Sequence, residues 1–281
     1  MTNTRQILRA AEQCLADAGV ASPAHDAAAL LAHVLDVPRM SAATTEIDDE
    51  QAARFDGLVR RRAAREPLQH LTGRAYFRYV ELDVGPGVFV PRPETELLAG
   101  WAIDRARDVG TTTPIIVDLC TGSGAIAKSI AGEVPGAIVH AVELSPEALA
   151  WAERNLAGTG VHLHEDDLAT ALPELDGRVD IVVCNPPYIP LDAWESVAAE
   201  ARDHDPHLAL FSGADGLDAM RVLEVTAARL LKPGGWVGAE HADAQGEVAP
   251  AVFVEAGRWS DVVDHLDFNH RPRFVTARLA R

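Results

Sequence analysis

Residues 115–127 read IIVDLCTGSGAIA, in which a short apolar run is followed by a glycine turn and then by small residues. The apolar run has the length of a buried strand, and the small residues after the second glycine fit the start of a helix. A glycine turn between a strand and a helix lets a ligand approach bare backbone at the carboxyl edge of a sheet. This stretch therefore predicts a strand, a ligand-binding turn and a helix.

The chain that follows repeats this alternation of strand and helix. Apolar runs recur at 138–142, 179–184 and 236–239, with helical stretches between them. Such an alternation indicates an α/β fold, in which helices cover both faces of a mostly parallel sheet. Segments 261–266 and 273–279 would add an antiparallel edge to that sheet. The predicted helices lie at 93–107, 124–132, 146–157 and 216–231.

The residues before this region carry a different pattern. Apolar residues at helical spacing predict helices over 4–19, 24–36 and about 48–65. Alternation of apolar and polar residues over 76–84 predicts a hairpin. We expect three parts, namely a helical domain over 1–73, a β-hairpin linker over 74–90 and a catalytic domain over 91–281.

Composition limits the function classes. The 281 residues include 25 basic and 42 acidic side chains, which gives a net charge of −17. This charge argues against extended binding to DNA or RNA, because neutralisation of phosphates by Lys and Arg supplies most of that affinity. No apolar run approaches the roughly 18 residues that a membrane span needs, and the first residues lack the pattern of a signal peptide.

Cysteine and histidine usage points to a reducing compartment. Cys14, Cys120 and Cys184 are too widely spaced for a disulfide framework, and no C-x-x-C or H-E-x-x-H pattern is present. The histidines show no metal-ligand spacing. We therefore expect a cytoplasmic protein with no metal site and no membrane partner.

The glycine turn alone leaves the ligand open. Gly122, Gly124 and Ala127 also satisfy the dinucleotide pattern, so a nicotinamide enzyme stands beside a nucleoside-binding one, and a plain tight turn is a third reading. Glu143 ends the next strand, 19 residues after Gly124. A carboxylate at this place can accept hydrogen bonds from both ribose hydroxyls of an adenosine-type ligand. The alternative is a surface glutamate that caps the helix starting near Pro146.

The tetrapeptide Asn185-Pro186-Pro187-Tyr188 directly follows the apolar run 179–184. The side-chain oxygen of Asn185 and the backbone carbonyl of Pro186 can each accept one hydrogen bond from a planar NH2 group. The two prolines fix the backbone and remove competing N–H donors, and Tyr188 offers an aromatic face. These properties predict a site for an amide or an exocyclic amine, although Asn and Pro also favour simple turns.

An amide or exocyclic amine is a poor nucleophile because its lone pair is delocalised. Two acceptors that hold its hydrogens orient the lone pair toward an electrophile and stabilise the positive charge that grows on nitrogen. The natural electrophile is the sulfonium methyl of S-adenosylmethionine, which the nucleoside site would present. Hydride transfer has no use for this arrangement, so methyl transfer is favoured over a dehydrogenase.

These residues resemble the HemK/PrmC methyltransferases, which modify the N5 nitrogen of a glutamine in peptide chain release factors. The resemblance rests on the glycine turn, on the Asn185–Ile189 motif and on the upstream stretch Pro91–Glu96. Glu66–Gly73 and Leu231–Gly235 also fit the family, so the similarity covers almost the whole chain. Agreement in order and spacing is more specific than any single motif.

The resemblance implies a class I S-adenosylmethionine-dependent methyltransferase, with a Rossmann-like seven-stranded sheet behind a small N-terminal helical domain that recognises the protein substrate. The substrate would be the glutamine of the Gly-Gly-Gln motif in class 1 release factors, a modification that supports translation termination. We expect a monomer. The implied cofactor-binding residues are Cys120, Thr121, Gly122, Ser123, Gly124, Glu143, Asp166, Asp167 and Asn185. The implied substrate-binding residues are Asn185, Pro186, Pro187, Tyr188 and Arg92, of which Asn185, Pro186 and Tyr188 would be catalytic.

Within this family pattern, residues 120–124 would line the methionine and sulfonium part of the cofactor. Glu143 would hold the ribose, and one of Asp166 and Asp167 would accept from the adenine N6 amine. Cys120 stands where the family usually has glycine, so we expect a non-glycine conformation there. It is interpreted as a small buried residue, with a thiol nucleophile as the alternative.

The roles of Arg92 and of a cluster of four arginines have more than one interpretation. Arg92 either clamps cofactor or substrate, or pairs with Glu94 or Glu96. The arginines at positions 60, 61, 62 and 65 form either a solvated helix face or a contact with an acidic partner.

Two rival functions come from other classes. An N6-adenine methyltransferase of DNA or RNA faces the same geometric problem, but it needs a basic groove and, for duplex DNA, base flipping. A non-catalytic S-adenosylmethionine-binding module would leave the tetrapeptide without a purpose.

Overall fold

The computed structural model describes residues 4–280. The described chain divides into two compact units. The first comprises the described residues up to Arg74 together with Val197–His204, and the second comprises Ala75–Ser196 and the residues from Asp205 onward. No helix among residues 4–280 is both long and apolar enough to cross a membrane.

The helices and strands carry labels in chain order. The helices are α1 (Thr4–Asp17), α2 (Pro23–Leu35), α3 (Arg39–Ala42), α4 (Asp49–Ala63), α5 (Leu68–Thr72), α6 (Thr95–Asp108), α7 (Ala125–Glu133), α8 (Pro146–Leu156), α9 (Ala199–His204), α10 (His207–Leu210), α11 (Asp218–Leu230) and α12 (Val248–Glu255). The strands are β1 (Arg74–Phe77), β2 (Val80–Asp83), β3 (Ile115–Leu119), β4 (Ile138–Glu143), β5 (His162–Glu165), β6 (Val179–Cys184), β7 (Leu231–Glu240), β8 (Trp259–Leu266) and β9 (Pro272–Leu279).

Helix α4 of the first unit begins at a capping box. The Asp48 side chain accepts a hydrogen bond from the Gln51 N–H at 2.7 Å, and the Gln51 side chain accepts one from the Asp48 N–H at 3.1 Å. Two backbone donors at the helix start are thereby satisfied. The apolar faces of the helices of this unit enclose one core, whose fully buried members include Leu15, Leu30, Leu31 and Phe55.

The arginine cluster is divided: Arg60 and Arg61 are exposed, as a solvated helix face predicts, whereas Arg62 is buried. A contact of the cluster with an acidic partner stays a prediction. Arg62 is only 6% exposed, and its guanidinium donates to Asp26 at 2.8 Å and to Glu200 at 3.0 Å. Arg65 donates to the other oxygen of Glu200 at 2.7 Å. A buried guanidinium needs such partners because an unpaired buried charge is costly. Arg62 and Arg65 therefore fasten the segment Val197–His204 within the first unit.

The second unit is built on a seven-stranded sheet with the strand order β5-β4-β3-β6-β7-β9-β8. The strands from β5 to β7 run parallel, and β9 pairs antiparallel with both β7 and β8. The predicted α/β fold with an antiparallel edge is confirmed. All six residues of β6 are buried, because separate apolar cores cover the two faces of the sheet.

The chain reverses its direction of winding between β3 and β6. From β3 it continues to β4 and β5 on one side, and then returns to place β6 and β7 on the other side. A crevice forms at such a switch point, outside the carboxyl ends of the strands, and ligands bind there in open α/β sheets. The glycine turn follows β3 and the tetrapeptide follows β6, so both lie at this edge.

Candidate functional site

The glycine turn and the tetrapeptide start from paired positions. Leu119 at the end of β3 is the register partner of Cys184 at the end of β6. The next residues along the chain, Cys120 and Asn185, therefore leave the sheet side by side. The predicted meeting of the two motifs at one edge follows directly from this register.

The turn after β3 is held by backbone hydrogen bonds, one to the neighbouring strand β4 and one within the turn. The N–H of Thr121 donates to the carbonyl of Val142 at 2.9 Å, and the N–H of Gly124 donates to the carbonyl of Thr121 at 2.9 Å. Gly124 has a φ of +83°, and a Cβ there would lie 3.0 Å from the side chain of Leu156. Gly122 has a φ of +57°, and a Cβ there would meet open space. The turn is therefore closely packed at Gly124, against Leu156, and has open space at Gly122.

Cys120 departs from the expected conformation. Its φ is +58°, so the backbone keeps the left-handed conformation that glycine adopts most easily, and the prediction of a non-glycine conformation is wrong. The side chain is half-buried and packs against one of the two cores. Burial and a hydrogen bond with the Cys120 thiol raise the pKa of Cys184 well above its ordinary value. Cys184 therefore stays a protonated thiol.

Glu143 is buried, with 8% exposure, and each of its carboxylate oxygens accepts a hydrogen bond from a backbone N–H group. Oε2 accepts from the N–H of Gly122 at 2.8 Å, and Oε1 accepts from the N–H of Ser145 at 2.9 Å. Burial raises the pKa of Glu143, and these backbone donors oppose that rise. The residue that caps helix α8 is Ser145, so the reading of Glu143 as a surface cap is wrong. The two carboxylate oxygens together offer about four acceptor positions, so Glu143 can also accept from a ligand hydroxyl.

Asp118 is a functional candidate that the sequence reasoning passed over. Its Oδ2 accepts from the Thr121 hydroxyl at 2.6 Å and from the N–H of Ala127 at 3.1 Å. Its Oδ1 is buried and has no hydrogen-bond partner among residues 4–280. Complete burial raises the pKa of Asp118 to about 7. An acidic residue inside an apolar strand was the available signal, because a buried carboxylate is costly unless it is paired or hydrogen-bonded, and such a residue is therefore a candidate for binding a ligand.

Asp166 and Asp167 follow β5 at the same edge of the sheet. The N–H of Asp166 donates to the carbonyl of Glu143 at 3.2 Å, which places it next to the expected ribose position. One oxygen of Asp166 accepts from the N–H of Asp167, and one oxygen of Asp167 accepts from the N–H of Ala169. Asp166 is half-buried and Asp167 is exposed. The choice between them as adenine ligand stays a prediction.

The tetrapeptide is anchored at both ends. Asn185 is half-buried, and its Nδ2 atom donates to the Thr95 hydroxyl oxygen over a long 3.4 Å. Pro186 is buried and Pro187 is half-buried. The Tyr188 hydroxyl donates to Glu240 at 3.0 Å. Burial and the neighbouring Glu240 carboxylate raise the pKa of Tyr188 well above its ordinary value, so the phenol keeps its proton.

Thr95 and Glu240 complete a hydrogen-bonded group that the sequence reasoning missed. The Thr95 hydroxyl donates to Glu240 Oε2 at 2.7 Å, and Glu240 is only 1% exposed. Burial raises the pKa of Glu240, while the two hydroxyl donors and the charge of Arg273 oppose the rise. The available signals were an acidic residue at the end of an apolar strand and a threonine within the stretch 91–96.

Arg92 pairs with neither of the two glutamates considered from the sequence. Its guanidinium donates to the buried Asp205 at 2.7 Å and lies over the ring of Phe89, 5.0 Å from the ring centroid. A contact of Arg92 with substrate stays a prediction. Within the described part of the chain, no group of three or more His, Cys, Asp or Glu side chains is arranged to hold a metal ion.

Comparison with known proteins adds three kinds of finding. A family model described as the PrmC N-terminal domain matches residues 6–73, and one described as a methyltransferase domain matches residues 116–204. The chain is 61% identical to a release factor glutamine methyltransferase of Streptomyces coelicolor over 96% of both chains. It is 47% identical to a protein of the same name from Mycolicibacterium smegmatis over the full length of both.

Two further matches are a relative whose name specifies a different substrate and a solved structure of low sequence identity. A 4-amino-L-phenylalanine/4-methylamino-L-phenylalanine methyltransferase of Streptomyces pristinaespiralis is 49% identical over 74% of this chain and 72% of its own. Among solved structures, a methyltransferase from Pyrococcus furiosus aligns with a TM-score of 0.50 and 16% identity, over 71% of this chain and 89% of that one. The structural match shows a shared fold.

Proposed function

Since the chain belongs to the family of release factor glutamine methyltransferases, we propose that it methylates the N5 side-chain nitrogen of the glutamine in the Gly-Gly-Gln motif of class 1 release factors. The fold is that of a class I methyltransferase, and the chain is a methyltransferase. The proposed methyl donor is S-adenosylmethionine. One observation carries the proposal, which is the pairing of Leu119 with Cys184, because it sets the glycine turn beside the tetrapeptide.

The residues of the glycine turn fit the proposed cofactor. Gly122 leaves open space where a side chain would otherwise stand, and the buried Asp118 suits a neighbouring positive charge on the ligand. Residues 120–124 would line the methionine and sulfonium part, and Glu143 would accept from the ribose hydroxyls. Asp166 or Asp167 would accept from the adenine amine. The bound cofactor supplies an electrophilic methyl group.

The tetrapeptide fits the proposed acceptor amide. Thr95 already takes a hydrogen bond from the Asn185 nitrogen, so the Asn185 side-chain oxygen is left to accept from the substrate NH2 group. The Pro186 carbonyl would accept the second hydrogen. These two acceptors would orient the substrate nitrogen and stabilise the positive charge that grows on it as its bond to the methyl carbon forms and the methyl–sulfur bond breaks. The products would be S-adenosylhomocysteine, the methylated amide and one proton released from its nitrogen. Pro187 and Tyr188 would pack against the flat amide.

The other parts of the chain have proposed roles as well. We assign recognition of the release factor to residues 1–73, the linker to 74–90 and catalysis to 91–281, with Arg92 as a candidate contact to the substrate. The three cysteines are free, which supports a reducing compartment such as the cytoplasm. We propose that the active form is a monomer that needs neither a metal ion nor a nucleic acid.

Two other methyl acceptors are chemically compatible with the tetrapeptide and are included in the test. An adenine N6 amine would use the same tetrapeptide, but the net charge of −17 disfavours a nucleic-acid groove. An aromatic amine is the acceptor that the name of the Streptomyces pristinaespiralis relative specifies. All three acceptors are conjugated, weakly basic nitrogens that carry N–H groups, so the tetrapeptide alone does not separate them.

The deciding experiment supplies S-adenosylmethionine carrying a labelled methyl group to the purified chain. Parallel reactions contain a class 1 release factor, the same factor with its Gly-Gly-Gln glutamine changed to alanine, an adenine-containing oligonucleotide, or 4-amino-L-phenylalanine. We expect label on the first protein only. Label on the oligonucleotide or on the amino acid, with none on the release factor, overturns the proposed substrate.

Asn185→Ala separates the two halves of the site. The variant should lose turnover and keep most of its affinity for the cofactor, because the side-chain oxygen is proposed to face the acceptor. Turnover is measured with the release factor, and cofactor binding is measured by calorimetry. An equal collapse of cofactor affinity would show that the role of Asn185 is misplaced.

A further inference from the structure

We propose that Thr95 and Glu240 are positioning residues that fix which end of the Asn185 side-chain amide faces the methyl acceptor. This inference rests on the proposed function and deepens it. The residues concerned come from three separate elements, since Thr95 begins α6, Asn185 follows β6 and Glu240 ends β7. Their side chains meet behind the tetrapeptide as a continuous hydrogen-bonded group.

Glu240 sets the direction of the hydrogen bonds in this group. Its carboxylate is buried and accepts two hydrogen bonds, one from the Thr95 hydroxyl at 2.7 Å and one from the Tyr188 hydroxyl at 3.0 Å. An ionised carboxylate can only accept, so both hydroxyls must point their protons toward it. Burial raises the pKa of Glu240, and the two hydroxyl donors and the charge of Arg273 favour the ionised form that this direction requires. The Thr95 oxygen consequently has no proton left for any other partner.

The direction then passes from Thr95 to Asn185. Because the Thr95 proton is committed to Glu240, the Thr95 oxygen can offer only lone pairs to the Asn185 side chain. The Asn185 atom that faces Thr95 at 3.4 Å must therefore be the NH2 group, and the oxygen must point away from it. This argument assigns the amide by its partners, which is the physical basis for distinguishing the two ends of an asparagine.

The orientation matters because the acceptor is itself an NH2 group. An Asn185 oxygen that faces the methyl acceptor can accept a hydrogen bond from its NH2 group. An Asn185 NH2 group in that place would instead set two hydrogen-bond donors against each other. Without Glu240, the Thr95 hydroxyl could donate to the Asn185 oxygen and hold the amide in the wrong orientation.

Three substitutions test this inference. Thr95→Val removes the hydroxyl at nearly constant volume, Thr95→Ser restores a hydroxyl, and Glu240→Gln places a donor where the chain has only acceptors. Thr276→Val is the matched control, because Thr276 is a buried threonine of β9 that bonds His265 instead. For Thr95→Val and Glu240→Gln we expect kcat with the release factor to fall by on the order of 100-fold.

The split between kinetic constants distinguishes positioning from general damage. The affinity for S-adenosylmethionine should stay near that of the wild type, and the KM for the release factor should change far less than kcat. The melting temperature should fall modestly, because Glu240 loses a buried hydrogen bond. Thr95→Ser should recover most of the turnover, and Thr276→Val should leave it unchanged. Wild-type turnover in Thr95→Val and Glu240→Gln overturns the inference, while the wild-type reaction itself still supports the proposed function.

A second readout needs no methyl acceptor. In ¹⁵N-labelled protein, the side-chain NH2 signal of Asn185 is identified by its absence in Asn185→Asp. We expect its hydrogen exchange with solvent to accelerate in Thr95→Val and to stay slow in Thr95→Ser and Thr276→Val. Unchanged exchange in Thr95→Val overturns the inference even if the wild type methylates no release factor, which would refute only the proposed function.

Discussion

The carboxylate of Glu143 accepts a hydrogen bond from the backbone N–H of Gly122 at 2.8 Å, and so ties the end of β4 to the turn after β3. The residue proposed to hold the ribose therefore also shapes the turn that would hold the rest of the cofactor. Because a single carboxylate serves both purposes, a change at Glu143 should alter ligand binding and local stability together.

Glu143→Gln tests this double role. The variant keeps the size of the side chain, but it loses the charge and can present only one acceptor oxygen to the N–H groups of Gly122 and Ser145. A hydrogen bond to a charged group contributes about 1.5–3 kcal/mol. We expect cofactor affinity, measured by calorimetry, to fall roughly 10- to 100-fold, with a lower melting temperature. Unchanged affinity would remove Glu143 from the cofactor site.

Gly122→Ala tests whether the open face of the turn belongs to a ligand. Gly122 and Gly158 both have positive φ, and a Cβ at either position meets open space in the protein. Alanine at either position should therefore cost a similar amount of stability, about 1 kcal/mol or somewhat more. Only Gly122→Ala should weaken cofactor binding. Equal cofactor affinity in the two variants would show that no ligand approaches Gly122.

Asp118→Asn tests the cost of the buried carboxyl group. Its pKa is raised to about 7 by burial, so between about pH 4 and pH 7 the folded chain holds a proton that the unfolded chain has released. The contribution of Asp118 to the free energy of unfolding therefore falls as the pH rises through this range. At about 1.4 kcal/mol for each pKa unit, the total is at most about 4 kcal/mol.

The measurement is denaturant unfolding of both proteins between pH 5 and pH 8 without cofactor. The advantage of Asp118→Asn over the wild type should grow with pH and level off above about pH 7. The contribution of Glu240 is common to both proteins and cancels in the difference, whereas the charge of Glu143 is part of what raises the pKa of Asp118 and so remains in it. A difference that is constant across the pH range would show that Asp118 titrates near its ordinary value.

Arg62→Met tests the buried ion pairs of the first unit. The change leaves Asp26 and Glu200 without their shared partner, which should cost about 3–5 kcal/mol. Arg60→Met is the control, because Arg60 forms an exposed pair with Asp56 that is worth less than about 1 kcal/mol. Both are measured by urea unfolding. Hydrogen exchange should also accelerate in segment 197–204 of Arg62→Met alone, and equal behaviour of the two variants would contradict this account.

The α/β fold was accessible from the sequence because its parallel strands are short continuous apolar runs. The run 179–184 is buried at all six positions, and a short run of this kind between turns is typical of a buried parallel strand. The glycine turn and the tetrapeptide were likewise readable, since each follows such a run. Helix α12 was missed because it contains Pro250, which interrupts a helical pattern but is tolerated in a first turn.

The supporting side chains could not be read in the same way. Arg62 and Glu200 are 138 positions apart in sequence, and Thr95 and Glu240 are 145 apart. Local patterning carries no information about pairs that only the folded chain brings together. The backbone of Cys120 escaped prediction for a related reason, since its left-handed conformation is imposed by the turn and not by the residue.

Strand β9 is the latest strand of the described chain, yet it lies between β7 and β8, inside the sheet. During biosynthesis, the earlier strands therefore emerge from the ribosome with β7 lacking its partner, and β8 has nothing to join until residues 272–279 appear. An unpaired strand edge is a template for association with other chains. The strand that joins β8 to the rest of the sheet is thus made after β8 itself, so the sheet reaches its final order only once residues 272–279 have been synthesised.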